Sequence, residues 1–104
     1  MNGELDNNLK TLENKRKFLR ETYAVKNIGI FGSMAKNRQK PRSDIDILVE
    51  LSKPMGFFRF LELEFFLRKL LKRKVDLVTK KALKPGIKSE VLRTVIYAQN
   101  QKKR

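Results

Sequence analysis

The sequence predicts a mixed α+β domain, a small mixed β-sheet of about three strands packed with helices. Three observations carry that expectation. Two long segments place apolar residues at helical spacing, three short segments between and after them are rich in β-branched residues, and Gly or Pro marks most of the boundaries. With 104 residues the chain is the size of one domain, and we expect a single folded unit over residues 1–98 followed by a basic, frayed tail over 99–104.

Leu5, Leu9, Leu12, Leu19 and Tyr23 lie on one stripe with charges between them, which predicts an amphipathic first helix across 5–23. Val25 to Phe31 then reads as a short strand closed by a tight turn at Gly32-Ser33. Any helix between Met34 and Lys40 must be brief, because Pro41 follows. From Asp44 to Leu51 the chain alternates: Ile45, Ile47, Val49 and Leu51 on one face, Asp44, Asp46, Leu48 and Glu50 on the other. One face of this strand is thus a core face and the other is open to chemistry.

Beyond the breaker Lys53-Pro54-Met55-Gly56, residues 57–73 form a second long helix. At 100° per residue, Phe60, Leu63, Leu67, Leu70 and Leu71 fill one arc, while Phe58 and Phe65 fall outside it and form a second apolar stripe, either a partner surface or one covered by the first or last helix. Lys74 to Val78 is a third strand. Pro85-Gly86 opens a last helix with Ile87, Val91, Leu92, Val95 and Ile96 on one face.

Composition narrows the chemistry. The chain has no Cys and no His, which excludes disulfides, thiol nucleophiles, His general bases and the usual zinc ligand sets. Catalysis must then use carboxylates, hydroxyls and bases. No apolar run reaches the roughly 20 residues of a membrane span, and the opening residues lack a signal-peptide pattern, so a soluble cytoplasmic protein is expected. The formal net charge is +14, half of it in residues 79–104. Such a field attracts polyanions or an acidic protein partner.

The residues that carry chemistry fall on successive strands. Asp44 and Asp46 share one strand face, about 7 Å apart at Cα, so both carboxylates can address one cation site. Asp76, between Val75 and Leu77, is a third candidate if its strand pairs beside the second. Three carboxylates repel one another unless divalent cations neutralise them, and hard oxygen ligands suit Mg²⁺. Two such ions about 4 Å apart bracket an in-line phosphoryl displacement. Upstream, Gly32 lets backbone N–H groups approach a phosphate and the Ser33 hydroxyl can donate to one. The ten residues between Ser33 and Asp44 contain Lys36, Arg38, Lys40 and Arg42, which can screen a triphosphate.

Taken together, Gly29-Ile30-Phe31-Gly32-Ser33, then Ser43-Asp44-Ile45-Asp46-Ile47-Leu48-Val49, then Lys74-Val75-Asp76-Leu77-Val78, resemble the minimal nucleotidyltransferase (MNT) family of the DNA polymerase beta superfamily. The closing Leu83-Lys84-Pro85-Gly86-Ile87 and the helix after it are also similar, so the resemblance covers about residues 5–98. It implies a polymerase beta-like palm fold, with ATP and Mg²⁺ as substrate and cofactor. It further implies Asp44 and Asp46 as ligands to both metals, Asp76 as ligand to the catalytic metal and aid to the attacking hydroxyl, and Gly32 and Ser33 as holders of the β- and γ-phosphates. Where the family has Arg-Gly after Gly-Ser-x-Ala, this chain has Lys36-Asn37, which keeps the charge but loses the bidentate fork.

Many such small proteins are antitoxins paired with a HEPN-domain ribonuclease toxin. By that resemblance the chain transfers AMP from ATP to a tyrosine of the toxin and inactivates it. A second reading is neutralisation by binding alone, through the Phe58 and Phe65 stripe and the basic C-terminal quarter. A third is a nucleic-acid module, suggested by the charge, although residues 79–104 offer only Tyr97 for stacking.

Overall fold

A computed structural model describes residues 3–36 and 44–99. The chain runs α1 (Gly3–Asn14), α2 (Arg16–Tyr23), β1 (Val25–Phe31), α3 (Gly32–Ala35), β2 (Ile45–Leu51), α4 (Phe57–Leu71), β3 (Val75–Thr79), a 3₁₀ turn (Lys80–Ala82), α5 (Pro85–Thr94) and β4 (Ile96–Tyr97). The strands form one mixed sheet in the order β3-β2-β1-β4. β1 is antiparallel to β2 and to β4, whereas β2 and β3 are parallel. Parallel neighbours need a crossover, and α4 supplies it.

Alternation along β2 sorts the layers. Ile45, Ile47 and Val49 have no solvent exposure and pack with Leu63, Leu67 and Leu71 of α4, Leu5 and Leu12 of α1, and Leu19 and Tyr23 of α2. That main core lies on one side of the sheet. On the other, Leu48 meets Leu83 and Val91 in a smaller cluster edged by Phe31, Val78, Val95 and Tyr97. The smaller cluster covers only part of its face and leaves the start of β2 and β3 to polar residues.

The expected first helix is two. Lys15 leaves helical geometry at φ −101°, ψ 6°, and its N–H donates to the Leu12 carbonyl three residues back. The cause lies in the seven-residue gap between Leu12 and Leu19. The charged run Glu13 to Lys17 offers no apolar anchor there, and the bend brings Leu19 and Tyr23 onto the same core as Leu5 and Leu12.

A fourth strand is the second departure. The stripe expected from Ile87 to Ile96 stops at Thr94, and Ile96-Tyr97 instead pairs with Gly29 and Ile30. Three consecutive β-branched residues, Thr94-Val95-Ile96, are poor helix and good strand formers, and Val95 is already extended at ψ 141°. Only Val91 of that helix is buried, and Ile87 is exposed. Gly29 makes the pairing sterically feasible: a Cβ there would lie 2.8 Å from Val95 Cγ2 and 2.9 Å from the Ile96 carbonyl oxygen. The other elements stand within about two residues of expectation. The tail residues 100–104 lie outside the described residues.

Candidate active site

The end of the sheet where β2 and β3 begin holds the acidic residues. In the parallel register Ile45 faces Val75, so Asp46 sits beside Asp76, and both point to the face opposite the main core. Their carboxyls lie side by side across the two strands. Burial first, then the charges of Asp76 and Asp44, push the Asp46 carboxyl up to about 6. Asp44, exposed just before the strand, acts on Asp46 more weakly than Asp76 does. The tighter pair is therefore Asp46 with Asp76, across strands, with Asp44 farther out.

Gly32 closes on this pair from β1. It adopts φ +74°, a left-handed conformation that favours glycine. A Cβ at Gly32 would sit 2.1 Å from Asp46 Oδ2, so no side chain fits between the turn and the carboxylate. Ser33 follows in the four-residue helix α3, half-buried, and the Lys36 N–H donates to the Gly32 carbonyl at 3.1 Å. Gly32, Asp46 and Asp76 thus converge, and Ser33 flanks them along the chain.

The turn has a support that sequence reasoning missed. Met34 is fully buried in the main core, and the Asn8 side-chain amide donates to its Sδ at 3.4 Å. Asn8 is the buried polar residue of α1, and its sequence signal was its place between Leu5 and Leu12 on the buried stripe. A second missed residue is Glu90 of α5, whose Oε2 lies 3.4 Å from Lys36 Nζ. Lys36 is therefore near the site but ion-paired, and exposed enough to exchange partners. Arg42, with Arg38 and Lys40, lies outside the described residues.

Among the described residues, no group of three His, Cys, Asp or Glu side chains is gathered as a ready cation cage. The donor set is nonetheless that of a divalent cation: hard carboxylate oxygens, one of which burial and then the neighbouring carboxylates push up to about 6. Asp46 and Asp76 together, with Asp44 a strand residue away, fit such an ion.

Residues 12–98 match the model of the nucleotidyltransferase domain. The chain belongs to that family. This nucleotidyltransferase is 46% identical over 82 residues to protein adenylyltransferase MntA of Thermococcus cleftensis, covering 79% of this chain and 83% of that protein. It is 49% identical over 87 residues to a Methanocaldococcus jannaschii chain that carries the provisional name protein adenylyltransferase, covering 83% and 89%. In structure it is similar to a chain of a toxin-antitoxin crystal structure with AMP-PNP, at TM-score 0.71 and 29% identity, covering 86% of this chain and 75% of that one. It is also similar, at TM-score 0.64 and 25% identity over 90% and 74%, to a chain from a complex of tri-AMPylated Shewanella oneidensis HEPN toxin with MNT antitoxin. The family and the small mixed fold implied by the three motif strings are borne out. Among the described residues no helix is long and apolar enough to cross a membrane.

Proposed function

We propose that this nucleotidyltransferase is the antitoxin of a HEPN/MNT pair and transfers AMP from ATP to a tyrosine of its HEPN ribonuclease toxin, inactivating it. The single observation that carries the reading is the left-handed Gly32 turn pressed against Asp46, which faces Asp76. A backbone approach suited to phosphate thus meets carboxylates suited to Mg²⁺, in a chain close to protein adenylyltransferases. The neighbour complexes with AMP-PNP and with an AMPylated toxin support the nucleotide and the kind of partner.

Asp44, Asp46 and Asp76 are the residues that would hold Mg²⁺, two ions by the family resemblance. When bound, Mg²⁺ neutralises the carboxylates and the phosphate charge and polarises the reacting oxygens. Gly32 and Ser33 hold the β- and γ-phosphates, and Lys36 exchanges Glu90 for a phosphate oxygen. Arg42 adds positive charge from the adjoining segment. Asp76 lies beside the acceptor and draws the tyrosine proton as its oxygen bonds to the α-phosphorus. The bond from the α-phosphorus to the bridging oxygen breaks on the far side, and pyrophosphate leaves with the electron pair. One domain, residues 1–98, performs the transfer, and residues 99–104 contribute basic charge only.

The test is the intact mass of the co-produced toxin after incubation with ATP and Mg²⁺, beside the Asp44→Asn/Asp46→Asn variant. A gain of one or more AMP units with the unaltered chain, and none with the variant, is expected. An unmodified toxin held in a stable complex by both forms would overturn the transferase reading in favour of neutralisation by binding alone.

A further inference from the structure

We propose that the outer face of α4 is a self-association surface, on which a second copy of this chain docks about a two-fold axis. Phe57, Phe58 and Phe65 are 69%, 83% and 62% exposed, and Leu61 beside them is also exposed. Scattered apolar residues need no explanation, but four on one helix face make a contiguous patch. A groove of about 410 Å³ runs along it, lined by Phe58, Leu61, Glu62, Glu64, Phe65 and Arg68.

Three features select a second copy as occupant. The first is area: three largely exposed phenylalanines with Leu61 and the flanking stems, brought together from two copies, remove on the order of 1,000 Å² from water, the threshold of a specific interface. The second is charge. The chain carries +14, yet α4 holds three basic and two acidic residues, so this is a face where two such chains repel little. Its groove presents Glu62, Glu64 and Arg68 beside the apolar groups, and an isologous contact requires such self-complementarity. The third is position. α4 covers the main core, on the opposite side of the sheet from Asp46 and Asp76. An acceptor protein seated here must reach around the edge strand β3, where Glu64 and Arg68 meet the backbone of Leu77 and Val75, to bring a hydroxyl to the carboxylates, whereas a second copy needs no access to them.

Sedimentation velocity of the isolated chain, from micromolar to submillimolar concentration, tests the proposal. A dimer is expected that tightens with added salt as net repulsion is screened. Phe58→Glu/Phe65→Glu should weaken it at least tenfold while leaving the far-ultraviolet spectrum and ATP binding unchanged. Because the chain has no cysteine, Leu61→Cys gives a second readout, a disulfide-linked dimer under mild oxidation. A monomer at every concentration would overturn the proposal. So would a dimer that ignores the double substitution or fails to cross-link through position 61. If the isolated chain is monomeric and the double substitution loosens its toxin complex instead, the face belongs to the toxin and the proposal fails.

Discussion

The two faces of β2 show how one strand divides stability from chemistry. On one face Ile45, Ile47 and Val49 are wholly buried against α4, and nothing there is polar. On the other, the same strand offers Asp46, Leu48 and Glu50, of which only Leu48 is buried. Glu50 is settled, its carboxyl held below its ordinary range by the Asn27 side-chain amide, which donates at 2.8 Å. Asp46, four residues earlier, is unsettled by burial and by two neighbouring carboxylates. The polar face is therefore comfortable at one end and strained at the other. Such local conflict is expected at a functional site, and the core face makes it tolerable.

The largest effect expected is on activity. Asp46→Asn should reduce AMP transfer by about a thousandfold or more, because cation placement and charge neutralisation fail together. Mass spectrometry of the toxin measures it, and a residual rate within tenfold of the unaltered chain would remove Asp46 from the site. On the other face, Ile47→Ala should leave the chemistry in place but cost about 2–5 kcal/mol, a large share of the stability of so small a domain. Urea unfolding reads this as a lower midpoint with little change in slope.

Smaller effects sharpen the contrast. The folded Asp46 carboxyl keeps its proton up to about 6, whereas in the unfolded chain it ionises near 3.9. Its contribution to stability is therefore full below about pH 4 and is lost as pH rises through about 6. For the metal-free protein, Asp46→Asn should abolish that decline and raise neutral-pH stability by about 1 kcal/mol, allowing for solvent screening at a half-exposed group. Thermal melts of the two proteins between pH 4 and 7, in the presence of a chelator, check the sign. A decline of equal size in both would place its origin elsewhere. The smallest effect concerns Ala24, which ends α2 in the left-handed region at φ 59°. Ala24→Gly should stabilise by up to about 1 kcal/mol, visible as a rise of a few degrees in Tm, with transfer unchanged.

Much of this was legible in the sequence, for identifiable reasons. Strict alternation from Asp44 to Leu51 fixed which face was core, and α4 was readable from five residues on one arc. The same wheel put Phe58 and Phe65 off the core arc, but whether another helix covers them depends on tertiary packing, and both are exposed. What escaped depended on long-range contacts. The break at Lys15 exists because two helical stripes must meet one core, and no local signal other than the charged gap announces it. β4 was hidden because Val95 and Ile96 continue a helical spacing while obeying a strand preference, and the partner that decides between them, Gly29, is more than sixty residues away. The aspartates were legible as a set, but their order of proximity was not. Asp46 and Asp76 become neighbours through the register of two parallel strands, which local spacing cannot give.

The pairing of β4 with β1 has a bearing on solubility. Without it, the outer edge of β1 would present the backbone donors and acceptors of Val25–Phe31, a ready template for strands of other molecules. Two paired residues and the bond from the Ala98 N–H to the Ile28 carbonyl, 2.9 Å, cover that edge. Gly29, which a larger residue could replace only by displacing Ile96, thus acts as a guard against aggregation. Shortening the chain at Thr94 would bare the outer edge of β1 and take Ala98 out of the main core.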